Sequence, residues 1–233
     1  MDDSDKTNQF VIHDAIKQNN TNLAKQLIDQ FPKELYSVDE DERTPLHWAC
    51  TFNNLELVEY ILSKKASDDV EIDELVDSSG WTPLHIVSSL GNIEIFNRLL
   101  ELKPDLNEVT NQGTTCLHLA ISKNNFAIVE KLIENGANCK KKDKTGHTPL
   151  HRASSIGSIP TVKLLCEKGN INVNAKDNDG WTALHHALAE GHADVAVELV
   201  GLGADPQLKS DTGELPIHVA VDDKVKQYFL SHI

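Results

Sequence analysis

The sequence is poor in aromatic side chains, which make up 5% of its 233 residues, and it contains a single methionine. It has no uninterrupted apolar run of about 18 residues, the length that a spanning helix needs, so we expect no membrane insertion. Its first residues show neither the basic start nor the apolar stretch of a signal peptide. The four cysteines, Cys50, Cys116, Cys139 and Cys166, form no Cys-x-x-Cys pair, which predicts reduced thiols in a cytoplasmic or nuclear protein.

Positive charge is also scarce. The chain has 22 Lys and Arg against 36 Asp and Glu, for a net charge of −14. Nucleic-acid binding requires a dense positive footprint to displace counterions, so we expect no nucleic-acid partner. The excess is uneven, because residues 1–80 hold 18 acidic and 7 basic side chains. This acidic N-terminal third is either a solubilising surface or a field that steers a partner with a basic patch.

Motifs for catalysis and phosphate binding are missing as well. The sequence has no Gly-x-Ser-x-Gly elbow, no glycine-rich phosphate loop and no His-Glu-x-x-His. We therefore expect a protein that binds other proteins rather than an enzyme, and we expect it to need no cofactor.

The sequence is instead dominated by an internal repeat. The hexapeptide Thr44-Pro45-Leu46-His47-Trp48-Ala49 returns in close variants that begin at Thr82, Thr115, Thr148 and Thr182, and weaker copies contain His13 and His218. The histidines of the seven copies lie at positions 13, 47, 85, 118, 151, 185 and 218. They are separated by 33 to 38 residues, a regularity that chance does not produce.

Each copy predicts a pair of helices. A Thr hydroxyl can accept hydrogen bonds from the free N–H groups of a first helical turn, and a Pro that follows it loses no bond there. A second segment with helical apolar spacing follows, as at Leu55, Val58, Ile61 and Leu62, and then a turn such as 142–146 with Asp and Gly. One such pair cannot bury its own apolar face, so neighbouring copies must stack.

Two irregularities interrupt the pattern. The spacing of 38 between His47 and His85 adds about five residues within Ala66–Asp77, which is rich in Asp and Glu and which we expect to form a longer exposed turn. Glu42 occupies a turn position at which the other turns have Gly, which leaves open a different shape for the second turn.

The Thr-Pro-Leu-His-x-Ala signature and the period of 33 residues resemble the ankyrin repeat, over nearly the whole chain from Phe10 onward. The resemblance implies an all-α repeat fold, a single ankyrin-repeat solenoid of residues 1–233 with seven repeats and short β-hairpin turns. The repeats fall at about 8–38, 39–76, 77–109, 110–142, 143–176, 177–209 and 210–233.

The histidine column does not predict a metal site. Stacked repeats place equivalent residues roughly 8–10 Å apart, whereas zinc lies about 2.0–2.1 Å from its ligands. We expect these histidines to be buried and to hydrogen-bond between neighbouring turns. His185 and His186 are adjacent and point to different faces, so they are a poor chelating pair.

In ankyrin-repeat proteins the turns and first helices line a concave face that holds a protein partner, and this implies a set of contact residues here. The turn carboxylates Asp39 and Asp41 are either solvated or in contact with the partner, and Trp48 either contacts it or packs on the neighbouring repeat. The full set, which is enriched in the Trp and Arg typical of interface hot spots, is Asp39, Asp41, Arg43, Trp48, Phe52, Trp81, Leu90, Lys123, His147, Arg152, Ile156, Trp181 and Glu190.

A narrower resemblance follows from segments in several repeats. Residues 39–50, 79–85, and 110–113 with 117–120 and 122–124 are similar to gankyrin and its fungal counterparts, a family of ankyrin-repeat proteasome assembly chaperones. The acidic insertion before Trp81 and residues 187–192 resemble the fungal branch. This implies that the chain binds the C-terminal domain of one AAA-ATPase subunit of the proteasome regulatory particle and prevents premature docking on the core particle. In that family an Arg and a Lys meet glutamates of the ATPase, and the matching positions here are Arg43 and Lys123.

Two further expectations complete the interpretation. The terminal repeats look capped and the net charge opposes self-association, so we expect a monomer. The alternative to a proteasome chaperone is a generic ankyrin adaptor, or a module like a kinase inhibitor, that binds a different protein.

Overall fold

The structure is a computed structural model and describes residues 11–64 and 71–233. The chain divides into two compact units, Met1–Asn111 and Gln112–Ile233. We call them the N-terminal unit and the C-terminal unit. No helix within the described ranges has both the length and the apolar character needed to cross a bilayer.

The N-terminal unit contains three helix pairs in its described residues. They are α1 (Val11–Lys17) with α2 (Thr21–Gln30), α3 (Pro45–Thr51) with α4 (Leu55–Lys64), and α5 (Pro83–Leu90) with α6 (Ile93–Leu100). A 3₁₀ helix, Pro32–Tyr36, follows α2. The first helices α1, α3 and α5 pack side by side, and the second helices α2, α4 and α6 form a parallel row behind them.

The C-terminal unit repeats this arrangement. Its pairs are α7 (Cys116–Ser122) with α8 (Phe126–Glu134), α9 (Pro149–Ser155) with α10 (Ile159–Lys168), and α11 (Ala183–Ala189) with α12 (Ala193–Gly201). A 3₁₀ helix (Pro216–Val219) and α13 (Asp223–His232) form the final pair. The helix α13 packs against α12.

The first helices begin and end as the sequence predicts. At α5 the Thr82 hydroxyl accepts a hydrogen bond from the backbone N–H of His85, and Pro83 occupies the first turn, where its missing N–H costs nothing. Gly91 ends the same helix with a φ of 86°, a left-handed conformation that Gly adopts without steric cost.

The core consists of the apolar faces of these helices. Leu117 on α7, and Ile128, Val129 and Leu132 on α8, are at most 1% exposed. The periodic apolar residues of the sequence therefore point inward, as expected for stacked repeats. Three of the cysteines, Cys50, Cys116 and Cys139, are buried free thiols that pack as small hydrophobes, and Cys166 is half-buried.

The connections between repeats are hydrogen-bonded turns rather than strands. The backbone N–H of Asp39 donates to the carbonyl of Arg43 at 3.1 Å, and that of Asp77 donates to Trp81 at 2.9 Å. The expected β-hairpins thus appear as tight turns. Within the described ranges, β-pairing is limited to a single antiparallel bridge between Lys176 and Thr182.

The turn with Glu42 has the same shape as the others. Glu42 adopts a φ of 59°, close to the 74° of Gly80 at the equivalent position. Its N–H donates to the carbonyl of Asp39 at 3.0 Å, just as the N–H of Gly80 donates to Asp77 at 2.7 Å. A non-glycine residue therefore occupies a left-handed position here at a conformational cost.

The acidic insertion was expected to be an exposed turn, and this is wrong for part of it. Residues 65–70 lie outside the described residues, but Ile72 and Leu75 are buried, at 3% and 7% exposure. They line an apolar cluster with Leu35, Leu46 and Ile61. The apolar residues among the acidic ones explain the difference, because their burial adds to the core of the N-terminal unit.

Candidate protein-interaction surface

Five of the column histidines join their own first helix to the turn of the next repeat. The Nδ1 atom of His47 accepts a hydrogen bond from the backbone N–H of Thr44 at 3.1 Å, so the ring proton is on Nε2. That Nε2 lies 3.0 Å from the carbonyl oxygen of Trp81 and donates to it. Equivalent bonds join His13 to Arg43, His118 to His147, His151 to Trp181 and His185 to Glu214. His85 differs, because its Nε2 lies 3.1 Å from the carbonyl oxygen of Glu108, near the end of its own repeat. The expected bonding between neighbouring turns is confirmed.

Burial favours the neutral form of His47 and His118. Loss of hydration lowers the pKa of His47 and lowers the pKa of His118 to about 4, against the opposing effect of the carbonyl that each Nε2–H contacts. A neutral ring with one donor and one acceptor is what the two hydrogen bonds require. Most of the carbonyls that these bonds hold belong to the residue directly before the Thr of the next repeat. We call four of these residues, Arg43, Trp81, His147 and Trp181, the contact column, and all four are in the predicted contact set.

Aspartates close the turns that present this column. The Oδ1 atom of Asp39 accepts hydrogen bonds from the backbone N–H groups of Asp41 and Arg43, at 3.1 and 3.0 Å. Asp77 accepts equivalent bonds at 2.9 Å from Ser79 and Trp81. Side-chain bonding of this kind fixes a tight turn, so the residues after it project from a rigid backbone.

The second oxygen of three of these aspartates binds the variable residue of the Leu-His-x-Ala motif. Nε1 of Trp48 donates to Oδ2 of Asp39 at 2.7 Å, and Nη2 of Arg152 donates to Oδ2 of Asp143 at 2.6 Å. His186 lies equally close to its own turn aspartate, Asp177, at 2.7 Å. Trp48 and Arg152 are therefore anchored within the fold, and only their half-exposed remainder faces solvent.

Asp39 differs from the prediction that it is solvated or in contact with a partner. It is buried, at 8% exposure. Burial by itself would raise its pKa, but hydrogen bonds from Lys17, the Arg43 backbone, Trp48 and the Asp41 backbone together lower that pKa to about 2. Because all of these contacts are internal, the carboxylate serves the turn. Its neighbour Asp41 is exposed.

The side chain of Arg43 is bonded within the fold at one nitrogen and is partly exposed to solvent. Its Nε pairs with Oδ2 of Asp77 at 3.1 Å, and its guanidinium lies 5.0 Å from the centroid of the Trp48 ring. The side chain keeps 28% of its surface exposed, and the other guanidinium N–H groups make no hydrogen bond within the described residues. Arg43 therefore presents a pre-ordered donor fork.

Exposed and half-exposed apolar side chains also occur in the N-terminal unit. Phe52 caps the end of α3, is 43% exposed and stacks on Trp48 with 5.9 Å between ring centroids. Leu90, the last residue of α5, is 46% exposed, and Trp81 is half-buried. Exposed large hydrophobic residues near an ordered Arg are typical of a protein-binding surface.

The C-terminal unit presents the remaining predicted residues. Lys123, Ile156 and Glu190 occupy the same place, each at the C-terminal cap of its first helix. Lys123 and Glu190 are exposed and Ile156 is half-buried, and Lys123 makes no ion pair with any residue that the structure describes. Trp181 is half-buried and stacks on His185 at 5.8 Å. His147 is half-buried and contacts Asp177.

The chain was compared with known proteins. The family model for ankyrin repeats (3 copies) matches residues 1–73, 66–143 and 122–210. A Saccharomyces cerevisiae protein, "Probable 26S proteasome regulatory subunit p28", is 44% identical over 227 residues, which cover 96% of this chain and 99% of that protein. The "26S proteasome non-ATPase regulatory subunit 10" of Dictyostelium discoideum is 38% identical over 82 residues, about a third of each chain.

A solved structure has the same fold. The ankyrin repeat domain of Bcl-3 matches with a TM-score of 0.76 and 28% sequence identity, over 94% of this chain and 97% of that one. The predicted all-α repeat fold is confirmed by this likeness and by the helix pairs described above.

Proposed function

The chain belongs to the ankyrin-repeat family, and from this premise we propose that it acts as a chaperone in the assembly of the proteasome regulatory particle. The observation that carries the proposal is the similarity to yeast p28, which extends along essentially the whole of both chains. An ankyrin fold alone would leave the partner open, since many unrelated proteins share it. Similarity over the full length to a proteasome regulatory subunit narrows the range of candidate partners.

We propose that the partner is the C-terminal domain of one AAA-ATPase subunit of the regulatory particle. Two cations suit glutamates on such a domain. Arg43 offers a guanidinium fork held in place by Asp77 and Trp48, so less side-chain entropy is lost when it binds. Lys123 offers an exposed ammonium with no ion pair inside the described part of the chain.

Apolar and aromatic residues supply the rest of the proposed contact. Phe52 and Leu90 are more than 40% exposed, and Trp81 and Trp181 each present part of an indole from a turn whose backbone is fixed by a column histidine. In each unit, partly exposed aromatic and apolar side chains near a few charges are typical of interface hot spots. Asp41 in the N-terminal unit and Glu190 in the C-terminal unit are exposed and would meet basic residues of the partner.

Such binding would act sterically and through charge, without catalysis. A chain bound to the C-terminal domain of an ATPase covers the end that would otherwise approach the core particle, and so delays docking. The acidic excess of residues 1–80 would speed the encounter with a basic patch on the same domain. We propose that the protein works as a monomer in the cytoplasm and nucleus.

Affinity purification from cell extract followed by mass spectrometry tests this function. The tagged chain should recover regulatory-particle ATPase subunits and little core particle, because a bound chaperone prevents docking. The chain with Lys123→Glu, which reverses one of the exposed charges proposed to bind the ATPase, should recover less of these subunits. Recovery of an unrelated protein with no proteasome subunit would instead favour a different adaptor role.

A further inference from the structure

The turn aspartates differ in how their charge is balanced. Asp39 pairs with Lys17, Asp77 with Arg43 and Asp143 with Arg152, so each of them faces a permanent cation. In the sixth repeat the equivalent residue is Asp177, whose carboxylate is 2% exposed. Within residues 11–64 and 71–233, its ion-pair partners are two imidazoles, those of His147 and His186.

This cluster has the dimensions of a metal site. Nε2 of His147 lies 3.3 Å and Nε2 of His186 lies 2.7 Å from Oδ2 of Asp177, and the ligand atoms of all three residues lie within 4.8 Å of one another. Ligands about 2.0–2.1 Å from a tetrahedral zinc ion are separated by about 3.3 Å. The His147–Asp177 distance already fits. The His186–Asp177 distance and the distance between the two histidines would have to change by rotation of the side chains.

Neighbouring groups orient His147 for this role. Its Nδ1 lies 3.0 Å from the hydroxyl of Thr145 and 3.9 Å from Oδ2 of Asp143, so Nε2 is the nitrogen turned toward Asp177. A hydrogen-bond acceptor for the far nitrogen is the usual support of a metal-binding imidazole, and the Thr145 hydroxyl oxygen can accept here because its own proton is donated to Asp143. Burial, followed by the nearby His186 and Arg152, lowers the pKa of His147, which keeps the ring unprotonated at neutral pH.

We propose that His147 Nε2, Asp177 Oδ2 and His186 Nε2 together bind one divalent transition-metal ion, with Zn²⁺ the best match. Two imidazoles and a carboxylate are ligands that Zn²⁺ takes readily, and they leave a fourth position for water. The ion would replace the hydrogen bond between His186 and Asp177, and the His186 ring would then hold its proton on Nδ1. It would link the turn of the fifth repeat to the sixth repeat.

The chain itself supplies variants that remove the ligands and keep the packing. At the position of His186, the preceding repeat has Arg152, which donates to its own turn aspartate. At the position of His147, the second repeat has Arg43, which donates to the aspartate of the following turn. His147→Arg with His186→Arg should therefore preserve the contacts to Asp177 and provide no metal ligand. His232→Gln changes an exposed histidine elsewhere and is the control.

Titration of the metal-free protein with Co²⁺ and with Zn²⁺ tests the site. We expect the visible absorption of a tetrahedral Co²⁺ with one ion per chain, its displacement by Zn²⁺, and a higher Tm with Zn²⁺. The double Arg variant should lose the absorption and bind Zn²⁺ at least tenfold more weakly, while His232→Gln behaves as the unchanged protein. Equal Zn²⁺ binding by the double variant and the unchanged protein, or no Zn²⁺ binding by the latter at tens of micromolar, would overturn the proposal.

A second measurement does not depend on the variants folding. The imidazole nitrogen resonances of the unchanged protein should move on addition of Zn²⁺ for His147 and His186, with smaller changes at His47 and His85 in the N-terminal unit. Movement confined to other histidines contradicts the site even if Zn²⁺ binds.

Discussion

The Nε2 atom of His47 lies 3.0 Å from the carbonyl oxygen of Trp81, in the turn of the next repeat. A buried imidazole thus fixes the backbone from which a partly exposed indole projects. The same histidine caps its own helix through Thr44. Stability and the presentation of the proposed contact surface therefore depend on one side chain.

Replacing this imidazole should be costly. His47→Ala leaves the backbone N–H of Thr44 and the carbonyl of Trp81 without their buried partner and opens a cavity, so we expect a loss of about 2–5 kcal/mol in the free energy of unfolding. Urea denaturation followed by circular dichroism measures it. His232→Ala, at an exposed position, should change the same free energy by less than about 0.5 kcal/mol. Equal effects of the two substitutions would contradict a structural role for His47.

The column histidines also predict a pH dependence of stability. Burial lowers the pKa of His13 and His47 below the ordinary value, so in acid the unfolded chain takes up protons that the folded chain refuses. The stabilisation is therefore complete above about pH 6.5 and is lost as the pH falls below it, by up to about 1.4 kcal/mol per pH unit for each histidine. Urea titrations at several pH values from 7.5 down to 5 measure the slope. His47→Gln should reduce it, and a flat profile would refute the linkage.

Packing between repeats gives a third prediction. Leu117 is fully buried on α7, whereas Leu90 at the end of α5 is 46% exposed. Leu117→Ala should lower the free energy of unfolding by about 2–5 kcal/mol, through lost burial and the cavity left behind. Leu90→Ala should lower it by less than about 0.5 kcal/mol. Denaturant unfolding of both variants tests the assignment, which fails if Leu117→Ala is as well tolerated as Leu90→Ala.

Substitutions at the left-handed turn position should change the free energy of unfolding in opposite directions at two equivalent residues. Glu42 and Gly80 share a positive φ, so Glu42→Gly should raise the free energy of unfolding by about 0.5–1 kcal/mol by relieving the conformational cost. At Gly80 a Cβ would lie 2.8 Å from the backbone nitrogen of Asn111, so Gly80→Ala should destabilise by about 1–3 kcal/mol. Thermal and urea unfolding of the pair measure both signs, and destabilisation by Glu42→Gly would show that the Glu side chain has a compensating contact.

The sequence predicted the features that repeat, because a repeated pattern reports a shared backbone geometry. The capping Thr, the bonding of histidines such as His47 and the inward apolar faces all followed from spacing. Features that belong to one repeat were not predictable in this way. That Trp48 is anchored on Asp39, and that His147 and His186 meet at Asp177, depends on side-chain contacts that no periodicity encodes.

The sequence did contain a signal for these contacts. An Asp four residues before the contact column recurs at Asp39, Asp77, Asp143 and Asp177, and each could have been read as an acceptor for a donor nearby. The burial of Ile72 and Leu75 was not predicted, for a different reason. The acidic residues around them made the whole segment resemble an exposed turn.

The two proposed anchors differ in how cleanly they can be tested. Arg43→Glu would place a carboxylate next to the buried Asp77, so this change also strains the turn. Lys123→Glu alters an exposed side chain that has no ion pair within the described residues and isolates the interfacial charge. An interfacial charge pair that loses one partner costs roughly 2–5 kcal/mol. The double variant should therefore bind at least about a hundredfold more weakly, equal to about 2.7 kcal/mol, with an unchanged circular dichroism spectrum as the control.

Isothermal titration calorimetry with the isolated C-terminal domain of each regulatory-particle ATPase subunit tests the account most directly. One of these domains should bind the unchanged chain in a one-to-one complex, with an affinity that falls as salt screens the acidic N-terminal unit. The Arg43→Glu and Lys123→Glu chain should bind more weakly. If none of the domains binds at tens of micromolar, the proposed function is contradicted. If one binds both chains equally well, the function survives and the choice of anchors does not.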